Sequence, residues 1–277
     1  MSVSIQFRWL GVAGVELAIN SEVLAIDPFF TRPPFRNLLF GRPQLNRALV
    51  AEKLPGCDHI LITHSHYDHL MDVPQIASNT GAHVYGSTNT CRLLRILNLP
   101  GSQIHNVQAG DRLSLGEFEV EVLPGRHIKT PLDRWISGSL PQNLHPPLRL
   151  TDYKMDESLS FRVSAGGCDF LHGRHPAGAD VWFAIPVWKQ EIFQKLLTEV
   201  QPRLVVPIHW DDFFRPLSKP LRPMVAPPQW PWPPLRRQEM QAFQRMVEEI
   251  ASGTRVLVPE IFRAYSLGAR EWLSKKG

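Results

Sequence analysis

The residues best suited to chemistry lie in one short segment, THSHYDH at positions 63–69. His64 and His66 can point the same way from an extended loop. Asp68 and His69 can turn towards a second position about 3.5–4 Å away, the spacing of two-metal sites. Imidazole nitrogens and carboxylate oxygens suit zinc, and the lack of thiolates in the segment favours a hydrolytic over a structural site. A histidine-rich surface turn is the alternative, but HxHxDH directly after a buried strand favours a metal centre.

The elements around this segment follow an α/β pattern. Asp58–Thr63 is an apolar run that predicts a buried strand leading into the loop. Leu70–Thr80 carries apolar residues at helical spacing, and a further strand precedes a predicted helix at Thr88–Leu97. Later helices are predicted at Gln190–Val200 and Arg236–Ile250. Strands alternating with helices in this way are typical of an α/β sheet.

Two long proline-rich stretches interrupt the pattern, at Ile128–Asp156 and Arg215–Pro234. Loops longer than about 12–15 residues in a compact domain are usually functional lids or disordered linkers. Their tryptophan and leucine content favours covers over a site, and we expect the second, around Trp230 and Trp232, to lie over the metals. A surface wrap that only shields the core is the alternative. No boundary between independent domains is visible, so residues 1–277 are expected to form a single domain.

Length and composition exclude several classes of protein. The 277 residues are 43% apolar and 20% charged, which argues against a disordered, collagen-like or coiled-coil chain. A net charge of +4 permits an anionic substrate but is too weak to indicate nucleic-acid binding. Cys57, Cys91 and Cys168 lack CxxC spacing, so a reducing, cytoplasmic compartment is expected. Neither a signal peptide nor a transmembrane segment is predicted, because no basic region precedes an apolar core and no run of about 18 apolar residues occurs.

With these motifs the sequence resembles the metallo-β-lactamase superfamily over most of its length. HxHxDH is among the most specific motifs of that superfamily. Trp9–Gly11 with Val15–Ile19 is similar to its opening hairpin, Ala25–Pro28 to a strand that ends in a supporting Asp, and Pro207–Trp210 to the strand end that carries its final His. The resemblance implies a four-layer αββα sandwich of the α/β class, with the metals at one edge between the two sheets. The motifs DPFF, THSHYDH and PIHW are most similar to the branch that holds ascorbate-6-phosphate lactonases and N-acyl phosphatidylethanolamine phospholipase D.

The resemblance also implies a set of metal ligands. It assigns one metal to His64, His66 and His127, and a second metal to Asp68, His69 and His209. Each metal would keep an open position, as catalytic zinc does, and a hydroxide shared by both would be the nucleophile. Asp68 and His209 are accordingly predicted to be catalytic, and Asp27 is expected to hold an imidazole N–H from behind. The expected cofactor is one or two zinc ions, with manganese or iron as alternatives.

The sequence departs from the superfamily pattern at one position. Most dinuclear members carry a bridging Asp in a Gly-Asp step at the end of a late strand, whereas the corresponding stretch here, Phe170–Pro176, has no carboxylate. Arg174 or His175 takes its place. An arginine cannot ligate, so His175 is the candidate additional ligand, with a bystander role equally open, and His172 is expected to have no role. Without the bridging charge we expect the second metal to bind more weakly.

These features predict a metal-dependent hydrolase that uses a metal-bound hydroxide on a phosphodiester, a phosphorylated lactone or a related ester. The expected partner is an anionic small molecule, because Arg126, Arg149 and Arg222 lie near the predicted site in sequence. Nucleic acid is not expected, and a homo-oligomer is left open. Two alternatives remain, an iron-dependent oxygenase or redox enzyme on the same fold and a degenerate metal-binding protein without catalysis.

Overall fold

The N-terminal part of the chain builds a mixed β-sheet. The computed structural model describes residues 4–39, 41–127, 133–186, 190–226, 236–237 and 239–267. The strands contributed by this part are β1 (Ile5–Gly11), β2 (Gly14–Ile19), β3 (Glu22–Ile26), β4 (His59–Leu61), β5 (His83–Gly86) and β6 (Ile104–Asn106). Strands β1 to β3 pair antiparallel, whereas β3 to β6 run parallel, so that β3, β4, β5 and β6 end at the same edge of the sheet.

The rest of the chain builds a second sheet and closes the first. Its strands are β7 (Arg112–Leu115), β8 (Phe118–Pro124), β9 (Leu159–Ala165), β10 (Cys168–His172), β11 (Val181–Ala184), β12 (Leu204–Pro207), β13 (Val225–Ala226), β14 (Arg236–Arg237), β15 (Arg255–Val256) and β16 (Ala264–Leu267). Strands β7 to β12 and β15 form the second sheet, β13 and β14 a small ribbon, and β16 returns to pair with β1. Within the described residues each main sheet has seven strands.

Eight α-helices lie in the described residues, and five of them pack on the outer faces of the sheets. They are α1 (Arg36–Leu39), α2 (Arg47–Lys53), α3 (Tyr67–Leu70), α4 (Val73–Thr80), α5 (Thr88–Ile96), α6 (Asp133–Ile136), α7 (Gln190–Val200) and α8 (Met240–Ile250). Helices α2, α4 and α5 pack on the first sheet, and α7 and α8 pack on the second, where Phe193 stacks on Trp182 with ring centroids 5.0 Å apart. No helix in these described segments has the length and apolar character that crossing a membrane requires.

The main core lies between the two sheets, because both inner faces are apolar. Phe7, Phe118, Phe161 and Phe183 are fully buried there. The alternation of inward apolar and outward polar residues along β8 and β9 follows the period of two that a sheet imposes. The layers are therefore helix, sheet, sheet, helix, which is the order expected from the sequence.

Two predicted helices have different bounds in the structure. Of the helix expected at Leu70–Thr80, Leu70 ends α3 and Val73–Thr80 forms α4. At the junction the Asp72 carboxylate accepts the backbone N–H groups of Phe30 (2.5 Å) and Thr31 (2.7 Å). The helix expected from Arg236 begins only at Met240. Arg236 instead belongs to β14, which pairs with β13. This pairing is not visible in the hydrophobic periodicity of the sequence.

One edge of the sandwich collects the loops that carry the predicted site. The HxHxDH loop follows β4, and the backbone N–H of Asp27, just beyond β3, bonds to Leu61 O at 3.0 Å. From the second sheet, His127 follows β8, His172 ends β10 and His209 follows β12. The sheet topology therefore brings together segments that are far apart in the sequence.

Candidate metal centre

The first group of candidate ligands contains three histidines. Ligand atoms of His64, His66 and His127 lie within 4.8 Å of one another. The ring centroids of His64 and His66 are 4.6 Å apart, and those of His66 and His127 are 4.9 Å apart. His64 and His66 come from the loop after β4 and His127 from the loop after β8, so the group joins the two sheets.

Neighbouring groups orient these imidazoles and favour their neutral form. The Nδ1 atom of His64 lies 3.1 Å from the Thr63 hydroxyl, and the Nε2 atom of His66 lies 3.1 Å from Ile136 O. Among the described residues, the other nitrogen of each ring has no hydrogen-bond partner. Burial lowers the pKa of His64 and His66, and burial together with the nearby His66 lowers the pKa of His127 to about 4. Neutral imidazoles with one free nitrogen are what a divalent metal requires.

The second group contains one carboxylate and two histidines, Asp68, His69 and His209, again with ligand atoms within 4.8 Å of one another. The Oδ2 atom of Asp68 is 3.3 Å from Nε2 of His209 and 3.6 Å from Nε2 of His69. Burial alone would raise the pKa of Asp68, but the two imidazoles more than offset it and lower that pKa. An ionised carboxylate with two imidazoles suits zinc, manganese or iron.

Asp27, which the resemblance assigns to support a ligand imidazole, lies beside His69 of the second group. Its carboxylate is fully buried and accepts hydrogen bonds from the backbone N–H (2.8 Å) and the hydroxyl (2.5 Å) of Thr63. Its Oδ2 atom is also 2.8 Å from Nδ1 of His69. Burial would lower the pKa of His69, but Asp27 and Asp68 raise it above its ordinary value. Since Nδ1 of His69 is engaged, Nε2 faces Asp68.

A buried ion pair that the sequence did not reveal supports the His209 loop. Arg32 and Asp211 are almost fully excluded from solvent and approach to 2.6 Å. The other oxygen of Asp211 accepts the Val12 N–H at 2.9 Å, and the Val12 carbonyl accepts the His209 N–H at 2.6 Å. His209 has a φ of 57°, a left-handed conformation that costs a non-glycine residue energy and persists only where surrounding contacts enforce it.

Both groups of candidate ligands open onto one cavity of about 650 Å³. Its wall is mainly apolar, and the residues that contribute aromatic or aliphatic surface include Phe35, Tyr67, Trp135, Ile136, Leu150, Phe213, Phe214 and Met224. Trp135 and Leu150 belong to the first proline-rich stretch, and Met224 belongs to the second. Trp230 and Trp232, which we expected over the metals, lie outside the described residues.

Arg174 and His175, the two candidates for the place of the missing bridging Asp, differ in whether they line the cavity. Arg174 lines the cavity, and so does His172, whose Nε2 is 2.8 Å from Ala13 O. His175 is not among the lining residues and joins neither ligand group; its charged neighbours are Glu121 and Arg126. His175 is thus the predicted site residue that the structure does not bring to the others, because Gly173 turns the chain so that position 174 faces inward.

Comparisons with known proteins identify the family. A family model for the beta-lactamase superfamily domain matches residues 23–210. A UPF0173 metal-dependent hydrolase of Methylocella silvestris is 33% identical over 120 residues, which are 43% of this chain and 46% of that protein. The chain thus spans about half the length of the curated relatives it matches.

Solved structures with the same fold cover nearly the whole chain. Igni18, a metallo hydrolase from Ignicoccus hospitalis, has a TM-score of 0.62 at 16% identity, over 95% of this chain and 98% of that one. CmlA, a diiron β-hydroxylase from Streptomyces venezuelae, has a TM-score of 0.55 at 15% identity, over 96% of this chain and 54% of that one.

The fold is thus an αββα sandwich with two groups of candidate metal ligands at one edge. The chain belongs to the beta-lactamase superfamily. The superfamily and the fold predicted from the sequence are confirmed.

The ion pair beneath the His209 loop should contribute strongly to stability. Replacing one partner leaves a buried charge unpaired, so Asp211→Asn, which keeps an acceptor for the Val12 N–H, should lower the free energy of unfolding by about 3–5 kcal/mol. Urea denaturation of the chelated protein measures this value. Glu260→Gln removes an exposed ion pair with Arg263 and should change it by no more than about 1 kcal/mol. Equal effects of the two substitutions would contradict the role of the buried pair.

The metal-free protein should lose stability when the pH falls from 6.5 to 4. His127 stays neutral in the fold down to about pH 4, whereas in the unfolded chain it takes up a proton near its ordinary value of 6.5. The unfolded state therefore binds more protons in this window and is favoured by acid. His127→Asn should make the loss of thermal stability over this window smaller. Melting curves of both chelated proteins test this, and equal slopes would count against it.

Proposed function

We propose that this protein is a metal-dependent hydrolase with a two-metal centre. In this proposal His64, His66 and His127 hold one ion, and Asp68, His69 and His209 hold the other, with zinc the preferred metal. The observation that carries the proposal is that two independent groups of three ligand atoms face one cavity. The name of the curated relatives, metal-dependent hydrolase, supports the same activity.

The donor sets fit such a centre chemically. The imidazoles of His64, His66 and His127 have lowered pKa values. One ring nitrogen of each of His64, His66 and His69 contacts a neighbouring oxygen of the protein, which is the support that metal-binding histidines usually have. Two divalent ions would supply an activated water and neutralise the negative charge that develops on the substrate.

The residues that line the cavity would then orient the attacking water and bind the substrate. Among the cavity-lining residues the carboxylates are Asp27 and Asp68, and Asp27 is fully engaged with Thr63 and His69. Asp68 is therefore the carboxylate placed to orient a water by accepting its hydrogen bond, and His69 and then His209, at 3.6 and 3.3 Å, lower its pKa and favour its ionised form. The proposed substrate class is an anionic ester, either a phosphodiester, a phosphorylated lactone or a related ester.

An iron-dependent oxygenase or redox enzyme would use the same fold, as the diiron β-hydroxylase shows for its own chain. The two reactions differ in the metal that they require. Metal analysis of the purified protein, together with its visible spectrum, distinguishes them. We expect zinc or manganese and no absorption bands from iron; stoichiometric iron with oxygen-dependent turnover would overturn the hydrolase.

Removal of one imidazole from the first group should abolish metal binding there. His66→Ala leaves only two ligands and should reduce both the tightly bound metal and the hydrolysis of bis(p-nitrophenyl) phosphate to background. The matched control is His145→Ala, because His145 is an exposed histidine of the first proline-rich stretch and belongs to neither ligand group. Metal content by mass spectrometry and phosphodiesterase rate are the two measurements. A fully loaded His66→Ala protein would refute the ligand assignment.

The missing bridging carboxylate should make the second metal the weaker one. Its absence leaves the repulsion between two dications poorly compensated, and a loss of about tenfold in affinity, or about 1.4 kcal/mol, is expected. Arg174→Asp should tighten the second binding step, because position 174 faces the cavity. His175→Asp is the matched control and should leave that step unchanged, since His175 does not line the cavity.

Calorimetric titration of the chelated protein with zinc, and separately with manganese, resolves the two binding steps. Two equally tight steps in the parent protein, together with no improvement in Arg174→Asp, would contradict this account of the second metal.

A further inference from the structure

The loop after β10 fixes an arginine at the wall of the cavity. Gly173 has a φ of 113°, and a Cβ atom there would lie 2.4 Å from the Ser160 hydroxyl oxygen, so only glycine fits. The Gly173 carbonyl accepts a hydrogen bond from the Trp182 indole at 2.9 Å, and the Arg174 N–H donates to the same Ser160 hydroxyl at 3.1 Å. The backbone of Arg174 is thus held from both sides, and its side chain lines the cavity.

The guanidinium of Arg174 lacks a negative partner within the described residues. Its Nε atom is buried without a hydrogen-bond partner there, and no carboxylate forms an ion pair with it. Arg126 lines the same cavity, likewise without an ion pair in these segments. Burial, and then the charge of Arg126, lower the pKa of Arg174. Asp27 and Asp68 also line this cavity, but Asp27 is engaged with Thr63 and His69, and Asp68 with His69 and His209. The positive charge of Arg174 and Arg126 is therefore not balanced by these acids, and an oxyanion would neutralise it.

Another part of the cavity wall is apolar and open to solvent. Phe35 and Trp135 are the aromatic residues among the exposed large hydrophobic side chains of the described segments, at 58% and 51% exposure, and both line this cavity. Phe35 also packs edge-on against Phe214 with ring centroids 5.1 Å apart. Exposed aromatic surface that continues into a cavity is typical of a binding site for an apolar group.

We propose that Arg174 and Arg126 form an oxyanion-binding subsite, and that the ligand of this cavity is an amphiphile whose phosphate or carboxylate group binds these arginines. Its apolar part lies against Phe35 and Trp135. As a statement about the substrate, this rests on the proposed hydrolase function; as a statement about binding, it does not depend on metal. The arginine that replaces the bridging carboxylate therefore selects the substrate, because a guanidinium cannot ligate a metal.

Ligand binding to the chelated protein tests the subsite without metal. Calorimetry with octyl phosphate, octanoate and octanol should show that both anions bind, that octyl phosphate binds tighter than octanoate, and that octanol binds at least about tenfold more weakly than octyl phosphate. Arg174→Gln and Arg126→Gln should each weaken the binding of octyl phosphate by about tenfold or more, as expected for lost charge-assisted hydrogen bonds. Arg263→Gln is the control, because Arg263 is exposed and does not line the cavity.

Two results would overturn the subsite: octanol binding as tightly as octyl phosphate, or unchanged binding of octyl phosphate in both glutamine variants. If Arg174→Gln does not fold, the binding of octyl phosphate to Arg126→Gln and to Arg174→Lys tests the subsite instead, since Arg126 is exposed. Arg174→Lys keeps the positive charge but loses the planar guanidinium, so it should bind octyl phosphate more weakly than the parent protein. Failure of the hydrolase proposal would leave these binding results unchanged. Failure of the subsite would leave the metal content of the parent protein and of His66→Ala unchanged.

Discussion

The candidate site depends on one buried carboxylate, that of Asp27. It accepts two hydrogen bonds from Thr63 and contacts His69, so it joins the end of β3 to the loop that carries HxHxDH. A fully buried charge is tolerated only when its oxygens are satisfied, and here three donors from the site satisfy them. The same contacts leave Nε2 of His69 facing Asp68. The contacts that satisfy the Asp27 carboxylate therefore fix the position of the HxHxDH loop and the orientation of the His69 ring.

The second sheet completes the site with an independent set of supports. Gly125, which precedes the Arg126–His127 step, has no room for a Cβ atom, which would lie 2.7 Å from the backbone of Leu159. His209 is held through Val12 by the Arg32–Asp211 ion pair. The two sheets thus contribute opposite walls of one cavity. Because Asp68 is the carboxylate within the two ligand groups while arginines line the wall, the charge of the site favours an anionic ligand.

Local chemistry could be predicted from the sequence, whereas long-range pairing could not. His64, His66, Asp68 and His69 lie in one contiguous motif after a buried strand, so their proximity followed from spacing alone. His127 and His209 could be added only through resemblance to a family, because nothing local links them to the motif. The Arg32–Asp211 pair and the return of β16 to β1 had no signal in the periodicity. The choice between positions 174 and 175 depends on the turn at Gly173, which only the structure shows.

Anomalous diffraction from crystals grown with zinc, and separately with manganese, tests the central claim most directly, because it reports the identity, number and position of bound metals together. The account predicts two peaks, one within about 2.0–2.2 Å of the imidazoles of His64, His66 and His127 and a weaker one at the same distance from Asp68, His69 and His209. A metal bound elsewhere, with no peak at either ligand group, would contradict it.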